Sequence, residues 1–172
     1  MHRPDDSLLL ENQLCFPLYA AARKMTAAYA PFLKPLQLTY TQYLVLLVLW
    51  ERDDISVGAL CEKLRLDNGT VTPVLKRLES AGRIVRRRQQ GDGRIVHVAL
   101  TDEGRALEDR ARAIPASLAS CLGMSPEDAG RLKTLLEQFL DTASSERGGA
   151  SEDTSRRERR RSPRCRESTA MG

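Results

Sequence analysis

The chain has 172 residues, with 27 Lys and Arg, 23 Asp and Glu, two His and a formal net charge of +4. This length fits one domain with a tail or two very small domains, and no apolar run approaches the roughly 18 residues that a membrane span needs. The N-terminus lacks an apolar signal segment, so we expect a cytoplasmic protein. The four isolated cysteines and two histidines do not give a zinc-site spacing, so we expect no metal and no cofactor.

Helices are predicted for the first part of the chain. Apolar residues recur every three or four positions over 8–33, which predicts one long helix that starts or kinks near Pro17. Thr39 and Gln42 then have the spacing of a capping box in front of the apolar run 43–50. The run by itself fits a buried strand as well as a buried helix, and the cap favours the helix.

A helix-turn-helix followed by a β-hairpin is predicted next. A short helix over about 57–64 is separated by a break from a second helix that ends at the glycine C-cap Gly82. The strand-like segments 84–88 and 94–100 then flank a glycine-containing turn. This order of elements defines a winged helix, so we expect a mostly α (α+β) fold.

The rest of the chain is predicted to be helical up to an irregular tail. Thr101 caps a helix that we expect to run to about Leu122, with a bend at Pro115. The serine–proline pair at 125–126 is a strong start for the last helix. Residues 146–172 are rich in Arg, Ser, Gly and Glu with almost no apolar side chain, so we expect a disordered tail.

The second helix of the helix-turn-helix and the hairpin carry the side chains expected of a DNA interface. Short polar groups at the helix start suit base edges in a major groove, and the basic cluster between Lys76 and Arg94 suits phosphates. Arg94 could enter a minor groove, with its guanidinium oriented by Asp92. The alternative is a solvated helix face, and the basic hairpin argues against it. The candidate DNA-binding residues are Asn68, Thr70, Thr72, Pro73, Lys76, Arg77, Arg86, Arg87, Asp92 and Arg94.

Several motifs, in this order and spacing, resemble one family of regulators. The segments are NQLCF at 12–16, LTYTQYLV at 38–45, LWE at 49–51 and LDNGTVTP at 66–73. They resemble the organic-hydroperoxide-sensing repressors of the MarR family, usually called OhrR, over roughly residues 8–142.

The resemblance implies a domain organisation and partners. A MarR-type winged-helix domain would span 1–145, with a DNA-binding lobe over about 55–100. Its α-helical dimerisation region would be formed by N- and C-terminal helices, about 8–35 and 101–143. The implied partners are a second copy of the chain, an inverted-repeat operator in double-stranded DNA, and an organic hydroperoxide as inducer.

The resemblance also implies a sensing cysteine, which maps onto Cys15. Tyrosines that hydrogen-bond its sulfur, partly from the other subunit, map onto Tyr29 and Tyr40, with Tyr19 nearby. Only a thiolate attacks peroxide, and phenol donors stabilise a thiolate without adding charge. The alternative is that Cys15 is a small core residue, the usual fate of an unpaired cysteine. Some family members trap the oxidised sensor with a second cysteine, for which Cys121 is either the resolving thiol or a buried bystander.

Two other functions remain open from the sequence. A cysteine-based thiol peroxidase would be an enzyme, but no Thr or Arg lies close in sequence to Cys15 to polarise a peroxide bond, so we expect no enzyme. A MarR-type regulator of a small phenolic ligand would leave Cys15 inert. Cys61 lies on an apolar helix face and is predicted to be core, and Cys165 in the tail is expected to have no role.

Overall fold

A computed structural model describes residues 5–88 and 95–158, and gives only the backbone course of 143–158. The chain divides into two compact units, Met1–Gly123 and Met124–Gly172. The α-helices are α1 Cys15–Leu33, α2 Tyr40–Glu51, α3 Val57–Leu64, α4 Asn68–Ser80, α5 Asp102–Ala111, α6 Ile114–Leu122 and α7 Pro126–Glu158. The strands are β1 Ile55–Ser56, β2 Ile84–Arg88 and β3 Val96–Leu100, and short 3₁₀ turns lie at Asp6–Leu8, Leu10–Asn12 and Lys34–Leu36.

Helices α3 and α4 with the three strands form a winged helix, as predicted. The sheet is antiparallel with the order β1-β3-β2. Ile55 of β1 pairs with Val98 of β3, while Ile84 of β2 pairs with Leu100 at the other edge. Strand β1 was not predicted, because two residues are too short to show a period-two pattern.

The helix caps read from the sequence are confirmed. The Thr39 backbone N–H donates to Gln42 Oε1 at 2.8 Å, and the Gln42 backbone N–H donates to Thr39 Oγ1 at 3.4 Å. Gly82 follows α4 with a φ of 71°, in the left-handed region that glycine adopts after a helix. Ser125 Oγ accepts the Asp128 N–H at 3.1 Å and so caps α7.

The helix predicted within 8–33 starts near Pro17, which is one of the two outcomes that the sequence allowed. Helix α1 begins only at Cys15, after two 3₁₀ turns. The side-chain amides of Asn12 and Gln13 donate to the backbone carbonyls of Asp6 (2.7 Å) and Ser7 (2.5 Å). Such side-chain bonds compete with helical hydrogen bonds, which explains why an apolar period alone does not extend the helix. Pro17 is the third residue of α1, where a helix tolerates the missing N–H.

Two predictions fail in the C-terminal half. The helix expected from Thr101 to Leu122 is two helices, α5 and α6, and Pro115 lies in the first turn of α6 instead of at a bend. The disorder expected from residue 146 is not found over 146–158, where α7 continues. Extending an existing helix costs less than starting one.

The core lies between α2, the helix-turn-helix and the sheet. Helix α2 is apolar nearly all round, as its sequence predicted, and six of its twelve residues are buried. Side chains at most 1% exposed come from all three parts and include Leu46, Leu60, Leu75, Leu78 and Ile84. In the described residues, no helix combines the length and the apolar character that crossing a membrane requires.

Candidate functional site

Cys15 is the first residue of α1 and is exposed in the single chain. Its apolar neighbours Leu14 and Phe16 are also exposed, at 69% and 43%. The first turn of a helix carries backbone N–H groups without intrahelical partners, which favour negative charge close by. The structure therefore places this thiol at the surface of one chain and outside its core.

Tyr29 and Tyr40 lie side by side, and a third tyrosine supports them. The ring centroids of Tyr29 and Tyr40 are 4.9 Å apart, and those of Tyr29 and Tyr43 are 5.6 Å apart. Burial raises the pKa of Tyr29, with a further increase from Tyr40, and burial also raises the pKa of Tyr40. Both phenols therefore keep their protons at neutral pH and can serve as O–H donors.

A single chain does not bring Cys15 and Tyr29 together. The two residues lie fourteen positions apart on the same helix, which separates them by about 21 Å along its axis. Tyr19 is 59% exposed, and its hydroxyl accepts a hydrogen bond from Arg23 Nη1 at 3.0 Å. The Arg23 guanidinium also lies 5.5 Å from the centre of the Tyr19 ring, so this tyrosine is engaged by its own helix.

The other cysteines have different surroundings. Cys121 lies on α6 and is exposed in the single chain, so it is not a buried bystander there. Cys61 is buried, as predicted, and its sulfur donates to Asn68 Oδ1 at 3.3 Å. Burial, with smaller contributions from Asp67 and Glu62, raises the pKa of Cys61, which disfavours its thiolate. Cys165 lies outside the described residues.

Helix α4 presents the predicted polar face to solvent. Asp67 caps the helix: its Oδ1 accepts the Thr70 N–H and its Oδ2 accepts the Thr70 hydroxyl, both at 2.8 Å. Gly69 leaves room for this cap, because a Cβ there would lie 2.9 Å from Asp67 Oδ1. Sequence reasoning missed the cap, although an Asp three residues before a Thr is a recognisable signal. The predicted residues that are exposed on α4 are Asn68, Thr70, Pro73, Lys76 and Arg77, and Thr72 is half-buried.

The basic residues of the wing fall into two groups. Arg87 and Arg88 are exposed on β2. Arg86 is paired inside the fold: its Nε donates to Glu79 Oε2 at 2.9 Å, and its backbone N–H donates to Glu79 Oε1 at 3.2 Å. Arg83, counted in the basic cluster, is buried. A count of charges along the sequence does not show such pairing.

The two hairpin-turn candidates, Asp92 and Arg94, lie outside the described residues. In the described residues, the candidate DNA-binding surface is therefore the exposed face of α4 together with β2.

Large apolar side chains are exposed in both units of the single chain. Those of the N-terminal segment are Leu8, Leu10, Leu14, Phe16 and Tyr19, and those of α7 are Leu132, Leu135, Leu136, Phe139 and Leu140. The α7 side chains recur at spacings of three and four residues and so share one helix face, and an exposed apolar face of this kind is typical of a protein interface.

The helix-turn-helix and its wing define the class of the protein, a winged-helix transcriptional regulator. A family model described as "Transcriptional regulator SarA/Rot" matches residues 27–110. The organic hydroperoxide resistance transcriptional regulator of Bacillus subtilis (strain 168) is 45% identical over 142 residues, which cover 83% of this chain and 97% of that protein. The chain belongs to this family of MarR-type organic hydroperoxide resistance regulators.

Solved structures agree with this assignment. Reduced AbfR bound to DNA is 37% identical, covers 79% of this chain and 93% of its own, and superposes with a TM-score of 0.68. A disulfide form of AbfR is also 37% identical, with coverages of 76% and 92% and a TM-score of 0.56. AbfR is a protein of Staphylococcus epidermidis.

Proposed function

We propose that the chain is a homodimeric, cytoplasmic transcriptional repressor that leaves its DNA operator when an organic hydroperoxide oxidises Cys15. The observation that carries the proposal is the separation, within one chain, of an exposed thiol at the start of α1 from a pair of protonated phenols, Tyr29 near the end of α1 and Tyr40 at the start of α2. A sensor made from these groups needs two chains, and the family relationship supports its chemistry.

A second copy of the chain completes the sensor in this proposal. Tyr29 and Tyr40 of one subunit donate to the Cys15 sulfur of the other, and Tyr19 lies one helical turn beyond that sulfur. The exposed apolar side chains of the N-terminal segment and of α7 supply the area that the dimer buries. Burying this surface also shields the sulfur with Leu14 and Phe16, which suits an organic hydroperoxide better than a strongly hydrated oxidant.

The proposed reaction is a single oxygen transfer. The Cys15 thiolate attacks the outer oxygen of the hydroperoxide, the O–O bond breaks, and the sulfur becomes a sulfenic acid. The departing alkoxide takes a proton from solvent or a phenol and leaves as an alcohol. The thiolate of Cys121, from the partner subunit, then attacks the sulfenic sulfur, forms a disulfide and releases hydroxide, which is protonated to water.

Disulfide formation is the step that we propose releases DNA. A disulfide needs Cα atoms within about 7 Å of each other, so bonding pulls the start of α1 toward α6. The two winged helices are attached to the dimerisation helices. Their spacing must match DNA half-sites that lie about 10 base pairs apart, one turn of the double helix. A small shift of the dimerisation helices therefore costs contacts at both half-sites. Disulfide and overoxidised forms of AbfR are known structures and support a cysteine switch in this fold.

The proposed DNA interface combines α4 and the wing. The α4 face bearing Asn68, Thr70, Thr72 and Pro73 enters the major groove, where short side chains reach base edges. Phosphates are contacted by Lys76 and Arg77 on α4 and by Arg87 on β2. Arg94 and Asp92 remain candidates for a minor-groove contact. Arg86 is assigned to holding the wing on α4 through Glu79, because its guanidinium already has a carboxylate partner.

The decisive experiment compares two cysteine variants. A DNA duplex selected for binding to the reduced protein is titrated with wild type, Cys15→Ser and Cys61→Ser, before and after one equivalent of cumene hydroperoxide. We expect wild type and Cys61→Ser to release the duplex and Cys15→Ser to retain it, since Cys15 is exposed at a helix start and Cys61 is buried. Release from Cys15→Ser would reject the redox mechanism and favour a ligand-controlled regulator.

A non-reducing gel tests the resolving step. Oxidised wild type should run as a covalent dimer that a thiol reductant reverses, and Cys121→Ser should give none. Instead its Cys15 should proceed to overoxidised or mixed-disulfide forms, detected by mass spectrometry. A covalent dimer that persists in Cys121→Ser would identify another resolving thiol.

A further inference from the structure

A hydrogen bond joins the buried face of α3 to the first residue of the DNA-facing helix α4. Cys61 on α3 is 8% exposed, and its Sγ donates to Oδ1 of Asn68 at 3.3 Å. Asn68 begins α4 and is itself exposed. One end of the Asn68 carboxamide is thus held by a buried neighbour, while the residue stays accessible to a binding partner.

The thiol is the donor in this hydrogen bond. Burial raises the pKa of Cys61, with smaller increases from Asp67 and Glu62, so the sulfur keeps its proton at neutral pH. A thiol donates through its S–H, whereas a carboxamide has one carbonyl oxygen that accepts and one NH₂ group that donates twice. The bond therefore turns Oδ1 of Asn68 toward α3, and Nδ2, on the other side of the same planar group, is directed away from the sulfur.

The surroundings of Asn68 fix its backbone and leave its side open. Asp67 caps α4 through the Thr70 N–H and hydroxyl, which orders the turn that carries Asn68. Asn68 and Thr72 lie one helical turn apart, and both line a groove of about 550 Å³ between the start of α3, helix α4 and the wing. The oriented carboxamide thus stands beside open space and on an ordered helix start.

We propose that Cys61 is a positioning residue for base recognition, through which Asn68 prefers guanine to adenine in the major groove. This inference rests on the proposed function, because it requires that α4 enters that groove. A guanine edge presents two acceptors, N7 and O6, whereas an adenine edge presents the acceptor N7 beside the N6 donor. An asparagine that reads adenine uses both ends of its carboxamide. Here the thiol engages Oδ1, so the Nδ2 end meets the base, and its two N–H groups suit the paired acceptors of guanine.

Base-substituted duplexes test the inference on the full, reduced chain without peroxide. The duplex selected for binding to the reduced protein is altered at one position of both half-sites at a time, to each of the other three base pairs. The position read by Asn68 is the one at which Asn68→Ala flattens the base preference. At this position, fluorescence anisotropy gives the ratio of the Kd for the adenine duplex to the Kd for the guanine duplex. Because both Kd values come from one protein sample, the ratio does not depend on the fraction that is folded.

We expect wild type to bind the guanine duplex about tenfold more tightly than the adenine duplex, within the range for an oriented base contact. Cys61→Ala has no donor, so its Asn68 carboxamide can turn and bind adenine with both ends. The ratio in this variant should therefore fall to about threefold or less. Cys61→Ser is the matched control, because its hydroxyl donates from the same position, and it should keep the wild-type preference.

Three results would overturn the inference. The first is a wild-type preference for adenine at this position. The second is an equal ratio in Cys61→Ala and Cys61→Ser, which would mean that a donor at residue 61 does not matter. The third is Asn68→Ala with the base preferences of wild type at every position, which would mean that Asn68 reads no base. All three leave sequence-specific binding by wild type intact, whereas a wild type without any base preference would reject the proposed function and this inference with it.

Discussion

Gly104 fixes how the hairpin joins the helices. It lies in the first turn of α5, where its carbonyl accepts a hydrogen bond from Trp50 Nε1 at 3.0 Å. A Cβ at this position would lie 2.0 Å from the backbone carbonyl oxygen of Arg83. Backbone atoms cannot move aside as a flexible side chain can, so only glycine allows α5 to approach the start of β2 this closely.

We expect Gly104→Ala to lower the free energy of unfolding by about 1–3 kcal/mol, the typical range for overpacked sites. Gly130→Ala on α7 meets no atom within 4 Å and should raise stability by up to about 1 kcal/mol through helix propensity. Urea unfolding of both variants measures the difference. Equal effects would mean that the close approach to Arg83 is relieved without cost.

At the scale of the elements, the predictions that succeeded rest on local signals. The capping box at Thr39 and the glycine at Gly82 act within four residues, so the sequence alone contains their geometry. The break before α6 was missed because packing decides it. The start of α1 was predicted only as a start or a kink near Pro17, because competing side-chain bonds decide between the two. In the candidate site, the exposed face of α4 was predictable because the apolar residues of that helix recur every three or four positions. The pairing of Arg86 with Glu79 joins a strand to a helix and is visible only in three dimensions.

The salt dependence of DNA binding separates the two kinds of arginine. Each phosphate contact contributes about 0.9 to the slope of log K against log salt concentration. Arg77→Gln should therefore reduce the slope by about 0.9 on a nonspecific duplex. The double variant Glu79→Gln/Arg86→Gln keeps the net charge and should leave the slope unchanged. A shallower slope in the double variant would show that Arg86 contacts phosphate.

At the scale of the whole molecule, Asp53 links the sheet to α5. Its Oδ1 accepts the Leu100 N–H at 2.8 Å, and Arg105 donates to its Oδ2. Burial raises the pKa of Asp53, but these hydrogen bonds outweigh burial and hold the pKa below its ordinary value of 3.8. A carboxyl with a depressed pKa stabilises the fold above its unfolded pKa, and this contribution is lost as the pH falls through the folded value.

We therefore expect wild type to lose more stability than Asp53→Asn as the pH falls below about 4. Above that pH, wild type should be the more stable protein by a constant amount. Asp109→Asn removes an exposed carboxylate on α5 and serves as the control. Urea unfolding at a series of pH values measures the three curves. Parallel curves for wild type and Asp53→Asn would contradict the assigned role.

Mixed dimers test whether the sensor is shared between subunits. One dimer pairs a Cys15→Ser subunit with a Tyr29→Phe/Tyr40→Phe subunit; the other pairs wild type with a subunit carrying all three changes. Each holds one Cys15. The first should form sulfenic acid at the wild-type rate, and the second about tenfold or more slowly, since it loses charge-assisted hydrogen bonds. Mass spectrometry follows the rate, and the opposite order would place the phenols in the same chain as their thiol.

The separation of Cys15 from Tyr29 along α1 has a consequence for cells that hold several related regulators. If the sensor is shared between subunits as proposed, and one chain exchanges partners with a paralogue, each sensor in the hybrid combines the thiol of one gene product with the phenols of the other. Peroxide sensitivity would then be inherited from two genes at once, and a mutation in either would alter both responses. If each regulator is to respond only to its own inducer, selection must act on the α1 surface itself. Paralogues with different inducers should therefore also differ in the sequence of that helix.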